Sequence, residues 1–118
     1  MNGKLIALTD WGCSTDIALD RMLGDEDLYL EFLTEFTKDP SFDMLSDALC
    51  ETKNREAFEH AHMLKGVAAN LGLDPLYKAL YTVTEALREE PDFMKAREGF
   101  TDVESSLKTF RNIMGTIV

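Results

Sequence analysis

Basic residues are scarce in this 118-residue chain: 12 lysines and arginines stand against 22 aspartates and glutamates, a formal net charge of -10. Proteins that grip a nucleic-acid backbone need clustered cations, so no nucleic-acid partner is expected. The same charge favours a partner surface of positive or apolar character. Cysteine is nearly absent. Cys13 and Cys50 are too few and too far apart in sequence for a disulfide framework or a zinc ligand set, and reduced thiols are the simpler expectation. No apolar run approaches the roughly 20 residues that a membrane-spanning helix needs. Residues 1–9 carry one lysine and a very short apolar piece, without a signal-peptide core of about 7–15 residues. No membrane association and a cytoplasmic location are therefore expected. A Gly-rich loop of P-loop or kinase type is missing, which leaves no sign of ATP binding. No run alternates as a strand does, and no segment repeats.

What remains is an ordinary globular composition, 45% hydrophobic and 29% charged, long enough for one domain over residues 1–118 that buries its core without disulfide or metal. Residues 1–13, with Leu5, Ile6, Leu8 and Trp11, form a short apolar arm that lies across the end of the fold or makes a turn of helix. Ser14 offers an N-cap to a short helix through Ile17, Ala18, Met22 and Leu23, closed by Gly24. Asp25, Glu26 and Asp27 suit the positive end of the next helix, whose apolar face is Leu28, Phe32, Leu33 and Phe36. Asp39-Pro40-Ser41 ends it, and Phe42, Leu45, Ala48 and Leu49 carry the following one. Glu51 to Asn54 is a joint, with Asn54 placed to cap what comes next. After Gly72, Asp74-Pro75 opens a helix through Leu76, Ala79, Leu80, Val83 and Leu87. Beyond Pro91-Asp92, Phe93, Ala96, Phe100, Val103, Leu107, Phe110, Ile113 and Met114 describe one long last helix, interrupted at some cost by Gly99. The expected fold is all-α: an up-and-down four-helix bundle with an additional short N-terminal helix.

Between the joint and Gly72 lies the stretch around which the rest is arranged. Ala57, Ala61, Leu64, Ala68 and Leu71 recur at helical spacing and face a core. His62, about 100° round from Ala61, projects near the boundary with water. Gly66 follows on the same line at i+4 and Ala69 at i+7, so the smallest side chains surround the imidazole. A glycine inside a helix costs about 1 kcal/mol relative to alanine, and close approach of a partner is one reason to keep it. Lys65, at i+3, can bring an ammonium near anything attached to His62. A neutral imidazole nitrogen is a competent nucleophile near neutral pH, and a lysine beside it partly neutralises phosphoryl oxygens.

The run Ala61-His62-Met63-Leu64-Lys65-Gly66-Val67-Ala68-Ala69-Asn70-Leu71-Gly72 resembles the signature of histidine-containing phosphotransfer (HPt) domains, roughly Ala-His-x-Leu-Lys-Gly followed by small residues and Leu-Gly. Leu19 to Asp25 with Tyr29 and Phe36 upstream, and Glu85-Ala86-Leu87-Arg88 downstream, are also similar to that family, so the resemblance covers most of the chain. It implies that His62 is the phosphoacceptor, Lys65 the phosphate-stabilising base and Gly66 the residue that opens access. It further implies a stoichiometric phosphocarrier, not an enzyme. The expected partners are receiver domains of hybrid histidine kinases and response regulators. No cofactor is expected on this chain, the magnesium ion coming with the receiver. Met63, Ala69, Thr84 and Arg88 are expected on the binding surface, and a monomer is expected. Some of these domains place a glutamine on the next helix near the histidine; this chain contains none, and the nearest comparable positions hold Thr84 and its neighbours.

Set against this, a histidine at a core boundary is more often structural than reactive, and an unpaired lysine more often a solvated stem over apolar surface. His60, two residues from His62, points about 200° away and cannot share a ligand with it. The spacing also misses His-x-x-x-His, which leaves a zinc site little support. Arg88 serves equally as a second charge near a phosphate or as the partner of a neighbouring acid. The rival reading is a helical interaction module that binds partners through this face without accepting a phosphoryl group.

Overall fold

Short polar side chains start the helices at both ends of the chain. Asn2 accepts the Lys4 amide at 2.7 Å, Asp25 that of Leu28 at 3.0 Å and Asp92 that of Lys95 at 3.0 Å, each satisfying an amide that the first turn leaves free. The computed structural model describes residues 2–115, so residue 1 and residues 116–118, the ends of the expected 1–118 domain, lie outside it. It is all-helical over those residues: α1 Gly3–Trp11, α2 Thr15–Arg21, α3 Glu26–Thr37, α4 Ser41–Cys50, α5 Asn54–Asn70, α6 Asp74–Ala86 and α7 Phe93–Met114. The apolar arm at the start is thus a helix, with Leu5 and Leu8 buried and Ile6 exposed.

Helix α6 packs against both α5 and α7, and α4 touches α5 and α7; α1 and α3 lie against α7, with α2 between them. One continuous cluster of buried side chains fills the interior, from Leu5 and Leu8 through Leu45, Leu64, Leu80 and Val83 to Phe110 and Met114. Each fully buried leucine contributes about 1.5–3 kcal/mol through removal of apolar surface from water. Gly99 has a packing reason. A Cβ there would stand 3.1 Å from Val83 Cγ2 and 3.2 Å from Thr82 Cγ2, so the missing side chain lets α7 approach α6 closely.

Three arginines close helices that have no basic residue in their own last turns. Arg21 donates to the carbonyls of Ala69 and Asn70 at 3.1 and 3.0 Å, Arg97 to that of Leu49 at 2.9 Å, and Arg111 to that of Thr37 at 2.9 Å. The ends of α5, α4 and α3 thereby receive the positive charge that their dipoles favour from elsewhere in the chain.

The N-terminal helices depart from the sequence expectation in which side they bury. Of the residues of the expected short helix, Ala18 is buried while Ile17 and Leu23 are exposed, Leu23 by 96%. Helix α2 ends at Arg21, and Leu23 then takes a left-handed conformation, φ 56°, that turns it outward. Leu28 and Phe32 are also exposed. Leu33 and Phe36 are buried as expected, joined by Tyr29, whose hydroxyl donates to the Leu71 carbonyl at 2.6 Å. Two expected caps are used otherwise. Ser14 donates its hydroxyl to Asp74 Oδ2 at 2.6 Å, tying the start of α2 to the start of α6. Asn54 lies within the first turn of α5 and its buried Oδ1 has no hydrogen-bond partner, so it does not cap.

Cys13 is buried, and burial followed by the charge of Asp74 pushes its thiol up to about 12 from the ordinary 9.0. Tyr29 is raised as well, again mainly by burial. Both groups are acids held protonated by the fold. Their contribution to stability is complete below the ordinary thiol value of 9.0 and is lost as pH rises through the folded-state values, so alkaline denaturation should set in above that point. Titration with a thiol reagent at pH 8 is expected to count one reactive cysteine, the exposed Cys50, in the folded protein and two in denaturant.

Candidate functional site

Helix α5 buries Ala57, Ala61, Leu64 and Ala68 on one stripe, and that stripe fixes where every other side chain of the helix points. His62 is exposed, and its ring makes no hydrogen bond to any described residue. Gly66 and Ala69 are exposed along the same side, with Asn70 two turns on from His62. A Cβ built on Gly66 meets nothing within 4 Å. No neighbour inside the protein therefore requires a glycine there, and the open space lies outward. Met63 is 39% exposed and continues this surface.

Aromatic rings hold the polar members of the site. Phe58, one turn before His62, stacks on the imidazole with centroids 5.7 Å apart and planes 8° apart. The Arg88 guanidinium lies over the same Phe58 ring at 5.4 Å and donates Nε to Glu85 Oε1 at 3.0 Å. Lys65 forms no ion pair with a described carboxylate; its ammonium sits 5.6 Å from the centroid of the Tyr81 ring on α6. Tyr81 in turn contacts Tyr77, centroids 6.2 Å apart. Contacts of this kind are worth about 0.5–1 kcal/mol at exposed sites, enough to bias a rotamer without fixing it. In a chain with 22 acidic residues, an ammonium left over a ring keeps its full charge for an incoming anion.

Helix packing brings His62, Lys65, Arg88, Phe58 and Tyr81 to one face of α5 and α6. Thr84 is not among them. It is fully buried, because it shares the inward side of α6 with Leu80 and Val83, and its hydroxyl is satisfied by the Leu80 carbonyl at 2.7 Å. The expectation that Thr84 borders the histidine is therefore corrected: the residues on this face are Tyr81 and Glu85 of α6 and Arg88 just after it. Arg88 pairs with the neighbouring acid Glu85, and its guanidinium also lies over Phe58, the histidine's stacking partner. His60 is half-buried and apart from these contacts.

Phe58 and Tyr81 escaped the sequence reading. Phe58 was within reach, since i and i+4 side chains on a helix touch. Tyr81 falls between the buried positions of α6, and only the pairing of α5 with α6 reveals that it faces Lys65. Among the described residues there is no group of three His, Cys, Asp or Glu side chains placed to hold a metal ion, and no helix long and apolar enough to cross a membrane. No family model, curated protein or solved structure matches this chain.

Proposed function

We propose that this protein is a histidine phosphotransfer protein of a two-component phosphorelay, taking a phosphoryl group on His62 from the aspartyl phosphate of one receiver domain and passing it to the aspartate of another. The observation that carries the reading is the open imidazole of His62, without a hydrogen bond to any described residue, in a surface where Gly66 leaves room and Lys65 supplies a charge paired with no described carboxylate. In this reading α4 to α7 are the up-and-down four-helix bundle and the preceding helices cover its side and end.

The transfer needs little from this chain. The ring nitrogen's lone pair attacks phosphorus, the P–O bond to the donor carboxylate breaks, and the carboxylate leaves with the electron pair. The other ring nitrogen keeps its proton, giving a phosphoimidazolium that exchanges that proton with water. Onward transfer reverses the roles: an acceptor carboxylate oxygen attacks phosphorus and the P–N pair returns to the ring. Lys65 compensates the phosphoryl oxygens while they are attached. The small side chains let the receiver's loops come close, and the magnesium ion belongs to the receiver. The test is incubation with a phosphorylated receiver domain, after which the chain should carry acid-labile, alkali-stable phosphate; association without label would favour the interaction module.

Gly66 gives a second, quantitative test. Alanine at this position has open space and gains helix propensity, so Gly66→Ala is expected to stabilise the protein by about 0.5–1 kcal/mol in urea denaturation. The added methyl enters the partner's space, so the receiver concentration giving half-maximal transfer should rise. A variant that is more stable and transfers equally well would remove the access role of this glycine.

A further inference from the structure

The contacts around His62 point to two residues that do no chemistry but set its geometry. We infer that Phe58 and Tyr81 are positioning residues, Phe58 holding the plane of the His62 imidazole and Tyr81 keeping the Lys65 ammonium beside it. This rests on the phosphocarrier reading of the same site.

An exposed imidazole on a helix ordinarily samples several rotamers, and only some aim a ring nitrogen at an incoming phosphorus. The stack on Phe58, planes 8° apart, biases the ring toward one. Phe58 is itself held, half-buried on α5 and covered by the Arg88 guanidinium at 5.4 Å, which the Glu85 carboxylate anchors at 3.0 Å. The ordering therefore runs from the end of α6 through the phenyl ring to the histidine. Lys65 presents a different difficulty. A long, flexible ammonium in an acidic protein is readily captured by a carboxylate, which would spend its charge before a phosphate arrives. Tyr81 offers a ring face 5.6 Å away, an attraction that a phosphoryl group outcompetes. Tyr81 is 48% exposed, so its own position costs the core nothing if the ring is changed.

The experiment uses phosphoramidate as the donor, which needs no partner: the imidazole attacks phosphorus, the P–N bond of the reagent breaks, and ammonia leaves and takes a proton. Phosphohistidine formation is followed by NMR in the full chain for Phe58→Leu, Phe58→Tyr, Tyr81→Leu, Tyr81→Phe and Lys65→Met. Phe58→Leu should slow the maximal rate by about 3–10-fold, the range that loss of one aromatic contact allows, while Phe58→Tyr restores it. The ring protons of His62 should carry an upfield ring-current shift that Phe58→Leu removes, a signature that a purely packing role for Phe58 does not require. Tyr81→Leu should slow the reaction by about 2–5-fold and Tyr81→Phe should not, and in a Lys65→Met background the Tyr81→Leu change should have no further effect.

If the parent protein is labelled and these variants match it, or if Tyr81→Leu acts equally with and without Lys65, the positioning roles are overturned while the carrier reading stands. If the parent takes no phosphoryl group from phosphoramidate or from a receiver, the carrier reading fails. The ring-current shift then reports separately on whether Phe58 orders the imidazole.

Discussion

His62→Gln protein is expected to fold as the parent does and to take no phosphoryl label at all. The imidazole is exposed and makes no hydrogen bond to any described residue, so its replacement forfeits the stack on Phe58. That contact is worth about 0.5–1.5 kcal/mol, and the midpoint of urea denaturation should move little. Glutamine keeps a polar side chain of similar reach but offers no basic nitrogen, because its amide lone pair is delocalised. Labelling should fall below detection, while association with a receiver, carried by Gly66, Ala69, Met63 and the surface around them, should persist. His60→Gln is the matched control and should be labelled as the parent is. A structural histidine would show the opposite pattern, with lost stability and unaffected label.

Gly72→Ala should be the most destabilising change of a single methyl at the end of α5. Gly72 has φ +70°, a conformation that alanine adopts at a cost of about 1–2 kcal/mol. Space is lacking as well: the added Cβ would stand 2.5 Å from the Ser14 carbonyl oxygen and 3.1 Å from the Ala18 Cβ. The Ser14 amide donates to the Gly72 carbonyl at 2.8 Å, so α2 cannot retreat without breaking that bond. Together the strain and the overlap should cost about 2–4 kcal/mol and lower Tm by roughly 10 °C or more. Gly24→Ala separates the two terms. Gly24 has φ +77° but nothing within 4 Å of its would-be Cβ, so it should lose only the conformational part. Equal losses at the two positions would show that the contact with Ser14 carries no weight.

The Ser14 contact also joins the N-terminal helices to the site. The turn between α5 and α6 is held by the Ser14 amide on Gly72, the Ser14 hydroxyl on Asp74 and the Tyr29 hydroxyl on Leu71. Arg21 closes the last turn of α5 just before it. Helices α2 and α3, with Ser14 ahead of them, therefore brace the turn that joins the helix of His62 and Lys65 to that of Tyr81.

What could be read from sequence follows the range of the forces involved. The buried faces of α4, α5 and α7 were legible because each carries one continuous apolar stripe at helical spacing. Helices α2 and α3 were legible in part: Ala18, Leu33 and Phe36 are buried, but apolar residues occupy two neighbouring stripes and Tyr29, bonded to Leu71 42 residues away, is buried where Leu28 and Phe32 are not. The arginine caps join residues 48 to 74 positions apart, and nothing local announces them. At the site, His62, Lys65 and Gly66 lie within two turns of one helix and are placed by its geometry alone. Thr84 was expected there only as the nearest position to the glutamine of the resembled family; within α6 its hydroxyl is satisfied by the preceding turn and the residue is buried. Tyr81 needed the register between two helices.

The most direct test is to locate the phosphoryl group. After brief incubation with a phosphorylated receiver domain, or with phosphoramidate, the chain is digested at mildly alkaline pH and the modified residue identified by mass spectrometry with a fragmentation that spares P–N bonds. The site described here predicts phosphate on His62 and none on His60. Phosphate on His60 or on a carboxylate, or an unmodified chain that still binds the receiver, would contradict it.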